Sequence, residues 1–331
     1  MKQWILIVVS FLTTACLESM DKAAKIYVAG HTGLVGSALV RALQNAGYSS
    51  IITRTRAELD LCNQQAVNDF FAKEKPDYVF LSAAKVGGIV ANRDYPADFI
   101  YQNLMIESNI IHASYVYHVK KLLFLGSSCI YPRECPQPIK ESYLLTSALE
   151  ETNKAYAIAK IAGLIMCDSY NKQYGTQFIS CMPTNLYGPE DNYHLQNSHV
   201  VPALLRKIIE AKERNDSIFV VWGTGTVRRE FLYVDDLAQA ALFLMNHYDG
   251  SETVNIGTGK DCTIEQLVEM IKNVVGYQGT IQFDTTKPDG PAQKLLDVTK
   301  LSNLGWTAPT SLKAGLEKTY AHIVVHGMNE R

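Results

Sequence analysis

From Lys25 onward the chain alternates short apolar runs with longer amphipathic ones. Ile26 to Ala29 predicts a strand, Leu34 to Ala46 a helix, Ser50 to Thr53 a strand, Gln64 to Glu74 a helix and Tyr78 to Ala83 a strand. A long helix is expected from about Pro96 to His118, a strand from Leu122 to Gly126, a helix from about Asn153 to Tyr174 and a strand from Gln177 to Met182. Regular alternation of this kind predicts an α/β fold, a doubly wound parallel sheet whose ligands sit at the carboxyl ends of the strands. After Pro183 the punctuation turns to Gly, Pro, Asn and His. A helix near Val201 to Asn215, a strand from Ile218 to Trp222, and helices near Val234 to Asn246 and Ile264 to Val275 predict a smaller mixed α/β lobe. The expected division is a dinucleotide-binding domain over 20–182 with returns near 223–257, and a substrate lobe over 183–222 and 258–331.

Composition narrows the class of partner. Of 331 residues, 47% are hydrophobic and 19% charged, which excludes a disordered chain. Thirty-one Lys and Arg balance 33 Asp and Glu, for a formal net charge of −2, and no run of like charges builds a local field. Nucleic acid is therefore not expected as a partner, and small molecules are. Cys16, Cys62, Cys129, Cys135, Cys167, Cys181 and Cys262 include no Cys-x-x-Cys pair. Neither a disulfide framework nor a metal site is expected, and a reducing, cytoplasmic setting is. The N-terminus runs against this, because Lys2, the apolar run Ile5 to Leu12 and Thr14-Ala15-Cys16 resemble a secretory segment with a degenerate lipoprotein box. The apolar run is too short to span a bilayer, and Thr13 stands where such signals carry Leu. We favour a start at Met20, with residues 1–19 a leader-like segment that is untranslated or removed; membrane attachment is expected only if the leader is real.

Gly30-x-x-Gly33-x-x-Gly36 follows the first strand and opens the first helix. Glycines permit the tight turn and close approach to a pyrophosphate, and the helix N-terminus supplies N–H donors to the anion. At the end of the second strand, where an acidic residue would bond the ribose 2′-hydroxyl of NAD, the chain carries Arg54-Thr55-Arg56. Arginines there suit a 2′-phosphate, so NADP(H) is the expected cofactor.

Tyr156 and Lys160 stand at i and i+4, on one face of a predicted helix. A nearby ammonium and an oxidised nicotinamide would favour the phenolate, making the phenol a proton donor and acceptor for a carbonyl and alcohol pair. Ser127 and Ser128 end the preceding strand, where a hydroxyl can bond the reacting oxygen. This Ser-Tyr-Lys set behind a Gly-rich loop resembles the extended, sugar-nucleotide-modifying branch of the short-chain dehydrogenase/reductase superfamily, which implies a Rossmann-like sheet. Gly30-His-Thr-Gly-Leu-Val-Gly-Ser37, Ala83-Ala-Lys-Val-Gly-Gly-Ile89, Leu125-Gly-Ser-Ser-Cys-Ile-Tyr-Pro132, Met182-Pro-Thr-Asn-Leu-Tyr-Gly-Pro189, Asn197-Ser-His-Val200 and Arg229-Glu-Phe-Leu232 narrow the resemblance to the GDP-L-fucose synthase family.

That resemblance implies a bifunctional enzyme that epimerises GDP-4-keto-6-deoxy-D-mannose at C3 and C5 and reduces C4 with NADPH. It implies Cys129 as the base and His199 as the acid of epimerisation, and Tyr156, Ser127 and Lys160 as the reducing set. Cofactor contacts are implied for Gly30, His31, Thr32, Gly33, Leu34, Val35, Gly36, Leu125, Gly126, Ser127, Lys160, Pro183, Thr184, Asn185, Leu186 and His199, beside Arg54 and Arg56. Lys207 and Arg229 are implied at the GDP diphosphate, and Asp289 or Lys294 at the nucleotide. Trp222 either stacks on guanine or fills the core of the small lobe. A homodimer is the superfamily's common state.

Some positions depart from the pattern. Thr32 stands where some relatives carry arginine, which softens the cofactor preference, and Lys154-Ala155 replace an acidic residue and a proline before the tyrosine. A 4,6-dehydratase of the superfamily wants an Asp-Glu pair where this chain has Cys129-Ile130, and a 4-epimerase prefers an acidic residue where it has Arg54 and Arg56. A silent dinucleotide-binding module would show decay among Ser127, Cys129, Tyr156, Lys160 and His199, and all five are present.

Overall fold

The computed structural model describes residues 19–194, 198–287 and 289–330, so the leader with Cys16 and the Asn197 of the Asn-Ser-His-Val motif lie outside the described residues. Twelve strands are described: β1 (Ile26–Ala29), β2 (Ile51–Ile52), β3 (Tyr78–Leu81), β4 (Lys121–Leu125), β5 (Phe178–Pro183), β6 (Asn185–Tyr187), β7 (Ile218–Trp222), β8 (Arg228–Tyr233), β9 (Val254–Ile256), β10 (Asp261–Thr263), β11 (Thr280–Asp284) and β12 (Gln293–Lys294). Six of them form a parallel sheet in the order β2-β1-β3-β4-β5-β9. The order reverses between β1 and β3, and the glycine turn lies at that switch point. The fold is Rossmann-like, as the alternating pattern predicts.

Both faces of the sheet are covered. Helices Leu34–Asn45 and Val234–His247 bury Leu39, Leu43, Leu237 and Leu244 against one face. Helices Gln64–Glu74, Pro96–Val116 and Lys154–Tyr174 bury Phe71, Ile110 and Leu164 against the other. Strands buried on two faces read as continuous apolar runs, which is why β1, β3, β4 and β5 stand out in the sequence.

Helices Val200–Glu213, Ile264–Val275 and Leu312–His326 share a third core with β7 and β8. Ile264–Val275 is framed by a capping box from Thr263 to Gln266 and by Gly276 in the left-handed region. The sequence pattern does not reveal β9, three residues among Gly and Thr, nor β8, which opens on two arginines and a glutamate. Both matter to the site. β9 completes the main sheet, and β8 carries Arg229 beside Lys294 of β12 in register.

Candidate active site

The glycine turn is sterically compulsory. Gly30 has φ +86°, and a Cβ there would lie 2.8 Å from the Ala83 backbone, while one on Gly36 would overlap the Gly30 carbonyl. Gly33 caps helix Leu34–Asn45 without a side-chain bond, so the first-turn N–H groups face the carboxyl edge of the sheet. His31 Nδ1 is buried with no hydrogen-bond partner in the protein. Leu34 and Val35 pack into the core behind the turn, and Thr32 is exposed at its tip. Leu125 and Gly126 end β4, and Pro183, Thr184, Asn185 and Leu186 follow the end of β5. Thr184 and Asn185 are both tied to the Glu230 carbonyl, by bonds of 3.3 and 2.8 Å. A cradle without side chains, uncapped N–H donors and an orphaned polar nitrogen fit a dinucleotide phosphate. Arg54 is turned from this edge toward Glu74, at 2.7 Å, whereas Arg56 is exposed.

The chemistry-bearing groups gather past the end of β4. Ser127 caps a short 3₁₀ turn, its hydroxyl accepting from Cys129 N at 3.1 Å, and it is near enough to the Tyr156 phenol to lower its pKa. Lys294 Nζ lies 3.5 Å from Cys129 Sγ. Burial pushes the Cys129 thiol up, but the Lys294 ammonium and hydrogen bonds from Ser127 and Lys294 outweigh it, so the thiol ionises below its ordinary range. His199 precedes helix Val200–Glu213. It is open to water yet hemmed in by surrounding chain, and this burial, with the charge of Lys294, lowers its pKa. Lys294, from a distant segment, thus bears on both Cys129 and His199, and Cys129 stands with Ser127 beside Tyr156.

Two of the expected residues have further partners in the structure. The Lys160 ammonium is held by Glu107, at 3.0 Å, and by the Leu125 carbonyl, at 2.9 Å. Burial first, then the negative charges of Cys129 and Glu107, raise the Tyr156 pKa against this effect of Ser127, so the unliganded chain favours the phenol, not the phenolate. Lys294, expected as a candidate nucleotide contact, has its amine at the Cys129 sulfur.

A second group lies along 287–294. Trp222 is 73% exposed at the end of β7, which removes the core-filling alternative. Lys207 and Lys287 stand 6.0 and 5.7 Å from its ring. Asp289 accepts from Thr224 N and Oγ1 at 3.0 and 2.6 Å, beside Arg229. The Arg229 guanidinium donates to the carbonyls of Arg228 and Pro291, and burial lowers its pKa. Lys287 thus stands by the exposed tryptophan and Lys294 by the cysteine.

Sequence reasoning missed Lys287 as a neighbour of the tryptophan, and missed Glu107 and Glu230. Buried Glu230 accepts from Thr258 N, Gly259 N and Leu296 N, tying the end of β9 to the segment that carries Lys294. The Arg-Glu-Phe-Leu motif held that signal, but its partners become visible only in three dimensions.

The sequence profile of the NAD dependent epimerase/dehydratase family matches residues 26–257. The chain belongs to that family. Within it, the chain is 59% identical to GDP-L-fucose synthase 1 of Arabidopsis thaliana over 91% of its own length and 93% of the relative. It is 56% identical to the GDP-L-fucose synthase of Escherichia coli strain K12, over 89% and 95%. Among solved structures, a GDP-mannoheptose C4 reductase from Campylobacter jejuni with NADP bound superposes with a TM-score of 0.86 at 44% identity, over 92% of this chain and all of that one. The family places the chain among NAD(P)-dependent enzymes. No described helix is long and apolar enough to cross a membrane, and the described residues contain no group of three His, Cys, Asp or Glu able to hold a metal ion.

Proposed function

We propose that the chain is a GDP-L-fucose synthase: it epimerises GDP-4-keto-6-deoxy-D-mannose at C3 and C5 and then reduces the C4 ketone with NADPH. The observation that carries this reading is the convergence of Cys129, Lys294 and His199 with Ser127 and Tyr156. Relatives at 56% and 59% identity carry that name.

A ketone at C4 acidifies the C–H bonds on both neighbours. The Cys129 thiolate, favoured by the Lys294 ammonium, takes the proton and leaves an enolate. His199 delivers a proton to the opposite face, which inverts the carbon. When bound, the reduced nicotinamide supplies a hydride to C4. Tyr156, kept as phenol by burial and its anionic neighbours, gives its proton to the resulting alkoxide while Ser127 bonds the same oxygen. Trp222 stacks on the base, and Lys207, Lys287 and Arg229 supply cations for the diphosphate. The glycine turn holds the cofactor pyrophosphate; Arg56, with Arg54 released from Glu74, binds the 2′-phosphate of NADP(H).

The functional division into a cofactor domain and a substrate lobe belongs to the same proposal, as does a cytoplasmic setting, supported by six free cysteines among the described residues. So does a homodimer through helices Pro96–Val116 and Lys154–Tyr174, which expose Tyr101, Val116, Ile158, Ile165 and Tyr174.

Incubation with GDP-4-keto-6-deoxymannose and NADPH in D₂O tests the reading. Consumption of NADPH with deuterium at C3 and C5 is expected. Reduction without deuterium at either carbon would instead fit a C4 reductase, like the relative of known structure, and would remove epimerisation from the account.

A further inference from the structure

We propose that Asn255 is a positioning residue for the epimerisation: its side-chain amide ties the turn that carries Cys129 to the segment that carries Lys294, and so holds the ammonium at the sulfur. This deepens the reading above and rests on the role given there to Cys129.

The amide bonds to three separate segments. Its Oδ1 accepts from the Tyr131 hydroxyl at 2.6 Å, and Tyr131 stands two residues beyond Cys129, at the exit of the 3₁₀ turn. Its Nδ2 donates to the Ile139 carbonyl at 2.9 Å and to the Asp297 carbonyl at 3.1 Å, three residues beyond Lys294. Ile139 is itself laced to the lysine segment, donating to the Leu295 carbonyl at 2.7 Å and accepting from Asp297 N at 2.8 Å. Asn255 is the middle residue of β9 and is fully buried, and its own N–H donates to Glu141 at 3.0 Å. Because β9 pairs with β5 in the parallel sheet, the amide is anchored on a rigid element, whereas the pieces it joins are a short turn and a two-residue strand.

The contact at stake is the 3.5 Å between Lys294 Nζ and Cys129 Sγ. Attraction between the two charges falls with distance, and falls further once water enters the gap. A lysine reaches its partner on a flexible four-carbon stem, so the contact depends on where the two backbones are held. Glu230 holds the lysine segment from the β8 side, through Leu296 N at 3.0 Å, and Asn255 joins it to the cysteine turn. An apolar side chain would fill the space of the amide without fixing one segment against the other, whereas a buried polar group with its bonds made specifies a single arrangement. Lys294 faces the thiol from β12 and Tyr156 from helix Lys154–Tyr174, and the same ammonium acts on Cys135 and His199. Glu141 lies beside Tyr131 and Asn255, and Lys140 beside Asp297.

Alkylation of Cys129 by iodoacetamide, followed on its peptide across a pH range, reads the arrangement without turnover. At neutral pH, Asn255→Ala should slow alkylation about tenfold and Tyr131→Phe, which deletes one hydroxyl, about threefold; both should regain the wild-type rate at high pH, where the thiol ionises unaided. In a Lys294→Met background neither substitution should slow it further. Tyr131→Phe carries the test if the Ala variant does not fold. A role confined to stability would lower the melting temperature and leave the pH profile of either variant unmoved. Slowing by the same factor at every pH would mean lost access to the sulfur, and further slowing in the Lys294→Met chain would mean action by another route. Any of these three results would overturn the proposal. A shifted profile in a chain that exchanges no deuterium into a 4-keto sugar nucleotide would instead uphold the Asn255 assignment and refute the proposed function.

Discussion

Two lysines lie among these groups, and their partners differ. Lys160 is buried and paired with Glu107, while burial first, then the charges of Cys129 and Glu107, favours the protonated form of the neighbouring Tyr156. Lys294 faces a thiol rather than a carboxylate, so its charge is spent on Cys129, which it draws toward the thiolate. One ammonium thus has a carboxylate for a partner and the other has the reactive thiol itself. A base that removes a proton beside a ketone and an acid that protonates an alkoxide are what two successive reactions in one pocket require.

The comparison is broken most sharply by removing the reactive groups in turn. Cys129→Ser should cut deuterium exchange at C3 and C5 by about 10²- to 10⁴-fold and leave NADPH binding unchanged by fluorescence titration. Tyr156→Phe should do the converse, losing C4 reduction by a similar factor while exchange continues. If either variant lost both activities equally, the two reactive groups would not be separable. Lys294→Met should have a smaller effect: exchange at neutral pH falls about tenfold and recovers as pH rises, because the thiol must then ionise without its cation. Trp222→Ala touches neither group. It should raise KM about tenfold with little change in kcat, by loss of one stacking contact, as read in steady-state assays.

The sequence exposed the local parts of this arrangement. The glycine turn, the Tyr156 and Lys160 pair and the Ser127 hydroxyl each sit within one strand–turn or one helix, where spacing alone fixes proximity. Helices such as Gln64–Glu74 and Ile264–Val275 were legible to the residue, because Asn63, Thr263 and Gly276 mark their ends. The remote parts were not legible. Lys294 reaches Cys129 across 165 positions, on a two-residue strand placed by its pairing with β8. Glu107 looks like any charge on a long helix until Lys160 is seen against it. Arg54 shows the same limit: the position is as expected, but its side chain is bound to Glu74, twenty residues on, in a contact that no local pattern records.

The most direct test of the counter-ion account is the pH dependence of Cys129 alkylation by iodoacetamide, followed on the Cys129 peptide in wild-type and Lys294→Met chains. The account predicts a wild-type midpoint below that of an ordinary thiol and a clearly higher midpoint in the variant. Coincident curves would contradict it, since the thiolate would then owe nothing to Lys294.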